Sequence, residues 1–479
     1  LRFQPEILMF YPIGPFILCY DFYQGEKNRN IELTGQSGKT LRFQAEKNAG
    51  DVILDAQNSG YHFLIQGDYD STLVFSNIKF IKGSGWYIDT GGGGGGGGGN
   101  GVFGGSIAIM GYKYFDQDSQ QDKSIYPTPK FISCHWEQNS AYGSSEQAGL
   151  GGAVFIQTAS PSFHNCTFKK NTASTSAGAV YIGTENLSDN SANPTFYNCI
   201  FDANNVSKSS GGSISAGAVL ISGGGKSIFY RSQFIDNYVS HSNDGAYGGA
   251  VNIEGNWDNS FENDIVFNQN LFRGNYAMAP NNNANGGAIS AGAPFTLINS
   301  VLVENFAVSN NPSGGALSID IFESNGTKGR SRLINNTIAF NELRNSGGTL
   351  MGDGGGISTF SDNQEGTWFN NIVYFNKSSY NQSISINNSN IGIVHNNVDD
   401  GNGKPWFGEE NLSVDPKFKN PSGDDYRLRI SSAMIDAGTE GDGENTAPNI
   451  DHRSYYRVGI PDIGAYEFGA SKYILDMVD

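Results

Sequence analysis

The side chains with catalytic potential in this chain are few and scattered. Adjacent carboxylates occur at Asp399-Asp400 and Asp424-Asp425. Two carboxyl groups held together can divide acid and base roles between them. Both pairs, however, lie in turns rich in Gly, Asn and Ser, so they read as solvated loops. Eliminative chemistry would need a Lys or Arg base beside acidic metal ligands. Arg231, Arg273 and Arg332 fall near a recurring frame, with no carboxylate recurring in register above or below them. No catalytic residue and no organic cofactor are therefore assigned.

Calcium is the one metal with a candidate loop. The stretch 436–444 carries Asp436, Glu440, Asp442 and Glu444 among glycines. These are hard oxygen ligands in a flexible setting, without the spacing of a known calcium loop. Nine Asn-x-Ser/Thr sequons occur, with Asn186, Asn325, Asn387 and Asn411 placed in loops where a eukaryotic source would allow glycans. Four cysteines, Cys19, Cys134, Cys166 and Cys199, are too few for a disulfide scaffold. The near-equal spacing of the last three carries more information than their number.

That spacing opens onto a repeat. Segment 163–171 reads Phe-His-Asn-Cys-Thr-Phe-Lys-Lys-Asn and segment 196–204 reads Phe-Tyr-Asn-Cys-Ile-Phe-Asp-Ala-Asn. The frame closes at 139, 171, 204, 237, 275, 305, 341 and 376, and in degraded form at Gly83. Alternating with it runs a second motif, as in Gly151-Gly-Ala-Val154, Gly248-Gly-Ala-Val251 and Gly286-Gly-Ala-Ile289. Helical arrays of the ankyrin and tetratricopeptide kinds have units of much the same length. Here the composition excludes helices: 64 Gly, 15 Pro and 52 Asn, with period-2 alternation as in Val180/Ile182 and no 3.6-residue stripe.

Short strands returning once per turn predict an all-β, single-stranded right-handed parallel β-helix (a solenoid) with N- and C-terminal caps, its coils stacked about 4.8 Å apart. Residues 1–40 are expected to form the N-terminal cap and first strands, 41–400 the coils and 401–479 the C-terminal cap, with 91–99, a run of nine glycines, as a mobile loop. Phe163 and its equivalents should stack inside. Asn165, Asn198, Asn299, Asn335 and Asn370 recur where the chain must bend between strands, a conformation Asn tolerates. They are expected to form a structural ladder of stacked amides, with Asn165 and Asn335 inaccessible. Cys134, Cys166 and Cys199 share one interior column. Stacked coils bring them within disulfide range, but parallel side chains disfavour the required dihedral, so buried reduced thiols are expected. The Gly-Gly-Ala column suits a corner where coils approach closely.

The alternation of Gly-Gly-Ala-[Ile/Val/Leu] with Phe-x-x-Asn, as in Phe168-Lys-Lys-Asn171 and Phe234-Ile-Asp-Asn237, resembles the repeats of chlamydial polymorphic outer membrane proteins and related pectin-lyase-like β-helix proteins. Asp415-Pro-Lys-Phe418, Asp425-Tyr-Arg-Leu428, Ile435-Asp-Ala-Gly438 and Asp462-Ile-Gly-Ala-Tyr-Glu467 resemble the anchor-associated end of bacterial secreted β-helix proteins. The two resemblances imply an exported protein at the cell surface or outside the cell. The expected role is adhesive or structural, with loops presented to a protein partner, a surface glycan or other subunits of an assembly. A polysaccharide lyase or glycoside hydrolase on the same scaffold is the alternative. A hydrolase of this fold would cluster aspartates near a Gly-His-Gly, and none of the six histidines has that context. Net charge −17 without a basic block argues against nucleic acid. The apolar window 7–20, broken by Pro12 and Pro15, is too short for a transmembrane span.

Overall fold

The computed structural model describes residues 14–18, 21–35, 41–45, 52–67, 72–88, 101–116, 120–143, 148–184, 192–223, 226–255, 265–321, 329–360, 365–380, 383–386, 390–399 and 410–472. The glycine run 91–99 and the sequons at Asn186, Asn325 and Asn387 lie outside them, as do Cys19 and residues 1–13. Two compact units are present, one of Leu1–Ile228, Ser232–Asp244 and Ala250–Asn256, the other of Phe229–Arg231, Gly245–Gly249 and Trp257–Asp479. Both are right-handed parallel β-helices, the hand that twisted parallel strands impose on their crossovers. Among the described residues the only helical turns are 3₁₀, at Glu26–Asn28 and Pro421–Gly423. No helix among them is long and apolar enough to cross a membrane.

In unit one each coil lays down a strand in sheet A (Lys130–Ile132, Ser162–His164, Thr195–Tyr197), then sheet B (His135–Glu137, Thr167–Lys169, Ile200–Asp202). A short sheet D strand and a sheet C strand (Val154–Gln157, Val180–Gly183, Val219–Ile221) follow. Every strand of these series pairs in parallel with its counterpart one coil on. The series begins within residues 1–40, where Gly14–Leu18 already pairs with Leu41–Ala45. The backbone needs only an alternating strand there, and the Phe-x-x-Asn frame is too degraded to mark it.

Two aromatic columns fill the interior. Phe75, Phe131, Phe163 and Phe196 stack at 5.0, 4.9 and 4.8 Å. Trp136, Phe168, Phe201 and Phe234 stack at 4.8, 4.8 and 4.7 Å. The columns meet edge-on, as in Phe163–Phe168 at 5.7 Å and 65°, the geometry ring quadrupoles favour. The Gly-Gly-Ala corner is as tight as its composition demands: a Cβ on Gly152 would stand 2.1 Å from the Gly178 carbonyl oxygen.

Cys134, Cys166 and Cys199 are free and fully buried. Their Sγ atoms lie 3.5, 3.6 and 3.5 Å from the carbonyl oxygens of Phe75, Phe131 and Phe163. Burial pushes the Cys134 and Cys166 thiols well above the usual range, so the reactive thiolate is disfavoured. Native protein should leave all three unlabelled by a thiol reagent, and unfolding without reductant should expose them. Rapid native labelling would refute the packing.

His62 is a second buried polar group of unit one. Its Nε2–H donates to the Leu54 carbonyl at 2.8 Å, and Nδ1 accepts from the Ser106 hydroxyl at 2.9 Å, an arrangement that holds the neutral ring. Burial pushes its pKa down to about 4. Because the unfolded chain keeps a value near 6.5, the unfolded state binds more protons between these limits. This contribution to stability is complete above pH 6.5 and is lost as pH falls toward 4, by roughly 3 kcal/mol. His62→Asn should flatten the pH dependence of the denaturation midpoint over that window. An unchanged slope would assign the acid sensitivity elsewhere.

Unit two repeats the design with aliphatic fillers, Leu297 and Leu333 standing where unit one has rings. Its sheet B carries apolar residues outward as well as inward. Val301, Val303, Ala339 and Ile372 are covered by Phe418, Tyr426, Leu428, Met434, Ile463 and Ala465 of the C-terminal segment. These are the apolar members of the C-terminal motifs, and each fully covered side chain adds ~1.5–3 kcal/mol of apolar burial.

Asparagine closes the coils. In unit one Asn139, Asn171, Asn204 and Asn237 are fully buried. From Asn171 onward, the side-chain oxygen of each accepts both the backbone N–H and the Nδ2 of the asparagine one coil before, all at 2.9–3.0 Å. Asn305, Asn341 and Asn376 do the same in unit two, where the series starts at Asn275.

The ladder expected at Asn165, Asn198, Asn299, Asn335 and Asn370 differs from these. All five are left-handed, with φ between 49° and 56°, as the bend requires. Side-chain bonds at 3.2 Å join Asn198 to Asn165 and Asn370 to Asn335, while Asn299 turns its amide to the Ile450 carbonyl. Asn165, expected to be inaccessible, is exposed. The bend points its side chain away from the core, and only a covering segment buries it.

Candidate functional site

A polar cleft of about 330 Å³ opens on unit two, lined by Arg330, Arg332, Glu365, Thr367, Asp442 and Glu444 with Gly366 and Asn445. Its floor is sheet A. Strand Arg330–Ile334 pairs with Glu365–Phe369 so that Arg330 faces Glu365 and Arg332 faces Thr367. Alternation sends Ser331 and Leu333 inward and the two arginines outward. Trp368 is buried beneath, its indole N–H donating to Ser331 Oγ at 3.1 Å, and this anchors the floor.

The wall is the turn 439–446, fastened by Asn370. The Asn370 amide donates to the Thr439 carbonyl and accepts the Thr439 N–H, both at 2.8 Å. Within the turn, Asp442 Oδ1 accepts the N–H groups of Glu444 and Asn445 at 3.0 and 2.6 Å. Burial pushes the Asp442 carboxyl up, but hydrogen bonds from Asn445, Glu444 and Thr367 outweigh it and hold Asp442 below the usual range.

Arg330 bridges floor and wall, 3.1 Å from Glu365 and 3.3 Å from Glu444. Arg332 forms no ion pair with another described residue. The cleft therefore sets a guanidinium fork, with five N–H donors, beside carboxylates that only accept. Alternating donors and acceptors of this kind suit a ligand rich in hydroxyl groups.

Of the four candidate calcium carboxylates, Asp442 and Glu444 line the cleft. Among the described residues no three His, Cys, Asp or Glu side chains converge as a metal site. Asp442 is committed to its own turn and Glu444 to Arg330. Asp436 is a left-handed residue whose N–H donates to Asp462. Of the Asp-Asp pairs, Asp400 lies outside the described residues, and Asp399 accepts the Phe375 N–H at 2.6 Å. Asp424 pairs with Arg273, and Arg427 grips Asp425 with two bonds that hold its carboxyl low. Asp462, pushed up to about 7 mainly by burial, is almost fully buried and accepts the N–H groups of Asp436 and Phe468. Asn411, taken as a loop sequon, instead ends an interior ladder. Its amide donates to Ile393 O at 2.7 Å and its oxygen accepts the Asn396 N–H at 2.8 Å.

The sequence reading named Arg332 only as a base without a carboxylate in register, and it missed Arg330 and Glu365. No spacing rule links Arg330 to an acid one coil later until the register of the two strands is known. A second concavity of about 310 Å³, in unit one, is lined by Gln66, Met110, Gly111, Tyr112 and Gln157 and carries no charged side chain.

No protein-family model matches the chain, and no curated protein matches it. Among solved structures, that of pectate lyase Pel9A is similar at 12% identity and a TM-score of 0.33, over 85% of this chain and 88% of that one.

Proposed function

We propose that the chain is an exported β-helix scaffold that adheres to a glycan through the Arg330–Arg332 cleft, and that it works at the cell surface or outside the cell. The observation that carries this reading is Arg332, an outward guanidinium without an ion partner among the described residues, set in a strand and flanked by the ionised Asp442. An acid held ionised accepts hydrogen bonds and is poorly suited to give up a proton. The cleft is thus built for holding hydroxyl groups. Binding to a panel of immobilised polysaccharides tests this. Arg332→Ala should weaken retention of the bound glycan roughly tenfold or more, the effect of losing one or two charge-assisted hydrogen bonds, without altering the melting curve. Equal retention would refute the cleft as the site.

A polysaccharide-active enzyme is the second reading, favoured by three carboxylates (Glu365, Asp442 and Glu444) sharing one cleft with two arginines. It requires release of reducing ends or unsaturated products from the same panel. Their appearance, and their loss in Glu365→Gln, would replace adhesion by catalysis.

A further inference from the structure

In unit two the left-handed residue that turns four successive coils from sheet A to sheet B is a carboxamide: Gln269, Asn299, Asn335 or Asn370. All four are buried, because polypeptide lies on them. Gln269 donates to the Asp451 carbonyl at 2.6 Å, Asn299 to that of Ile450 at 2.7 Å and Asn335 to that of Asp462 at 2.9 Å. Asn370 takes both sides of Thr439, giving its Nδ2 to the carbonyl and accepting the N–H. A carboxamide offers one donor edge and one acceptor, so it pairs with a passing backbone much as a neighbouring strand would.

Unit one carries the same device at Asn165 and Asn198, with φ of 55° and 52°, and there both residues are exposed. Their one mutual bond, Asn198 Nδ2 to Asn165 Oδ1 at 3.2 Å, uses one donor and one acceptor. The Asn165 amide NH₂ and the Asn198 carbonyl oxygen are left without a partner among the described residues. Beside them His164 and Tyr197, one coil apart, stack at 5.0 Å and 10° to make a flat shelf on the outer face of sheet A.

We propose that Asn165 and Asn198, with the His164–Tyr197 shelf, form a docking strip for an extended polypeptide segment of a partner protein, read through its backbone amides. The occupant is a polypeptide because polypeptide is what this residue type, in this conformation and at this turn, holds in unit two. Side-chain identity in the partner matters little, since the strip offers donors and acceptors to the main chain and a ring surface to whatever lies next to it.

The test uses the full chain and a fluorescent synthetic peptide of residues 447–464, a segment already seated on carboxamides of this kind. Saturable binding is expected by fluorescence anisotropy. The double substitution Asn165→Gly/Asn198→Gly keeps the left-handed turn and removes both amides, so it should weaken binding roughly tenfold or more. If that protein melts early, Asn165→Asp/Asn198→Asp, which keeps the acceptors and removes the donors, should show the same loss. Absence of saturable binding, or binding indifferent to both double variants, would overturn the proposal. So would competition by a neutral chito- or cello-oligosaccharide that depends on the same two asparagines, since it would make the strip a sugar site.

Discussion

Asn204→Ala is expected to lower the stability of unit one by about 3–5 kcal/mol and to abolish hydrogen-exchange protection at the Asn171 amide. The wild-type side chain makes four bonds inside the coil stack. It accepts the Asn171 N–H and Nδ2 at 3.0 and 2.9 Å, and donates to the Phe168 carbonyl at 2.8 Å and to Asn237 Oδ1 at 2.9 Å. Alanine leaves the Asn171 N–H and the Phe168 carbonyl buried without these partners. Each unsatisfied group costs ~1–3 kcal/mol, and the small void left by the amide adds to that. Asn198→Gly is the matched control. It removes an exposed amide from a turn that glycine accepts, and should shift stability by less than ~0.5 kcal/mol. Comparable losses in the two variants would mean that the closing asparagines are solvated and that the ladder contributes nothing special.

Arg457→Met should release the C-terminal segment while the coils of unit two persist. Arg457 and Glu467 are 4% and 1% exposed and lie 2.8 Å apart. The guanidinium also reaches Asn299 Oδ1 at 2.9 Å and the Gly464 carbonyl at 3.2 Å. Glu467 in turn accepts the N–H groups of Val458 and Asp462 at 3.1 and 3.0 Å. Removing the cation alone strands a buried carboxylate, which costs about 3–5 kcal/mol. Limited proteolysis should then cut within 436–468 at concentrations that spare the wild type. Replacing both partners, Arg457→Met with Glu467→Leu, should recover part of the loss, because no buried charge is left unpaired, while the Val458 and Asp462 N–H groups lose their acceptor. A double variant as fragile as the single one would place the damage in the hydrogen bonds to Asn299, Gly464, Val458 and Asp462 and not in the stranded charge.

The fold was legible because its columns are written in residue identity. Phe163 and Phe196, at the same place in successive frames, announce an interior stack, and Gly-Gly-Ala announces a corner without room for a Cβ. The chemistry was less legible for a physical reason. Whether an outward side chain matters depends on what covers it. Asn165 and Asn335 occupy the same position in the frame, yet one is exposed and the other buried under Asp462 and Gly464. The covering segment follows no repeat, so its path was invisible. The acidic stretch 436–444 shows the same dependence on what lies nearby: composition placed four acids near one another in sequence, while the turn spends Asp442 on its own N–H groups and Glu444 on an arginine from sheet A.

The coil that runs from Phe75 to Phe131 is far longer than the next, which runs from Phe131 to Phe163. The longer one carries two antiparallel excursions, Trp86–Ile88 with Gly101–Phe103 and Tyr112–Asp116 with Gln121–Ile125. The rings nevertheless keep register and stack at 5.0 and 4.9 Å. Extra chain that leaves and re-enters beside a corner is not felt by the stack, so foreign cargo spliced at such an excursion should be carried without disturbing its host. The architecture can be edited one coil at a time, and a new epitope or a reporter domain would be displayed there as readily as a native excursion.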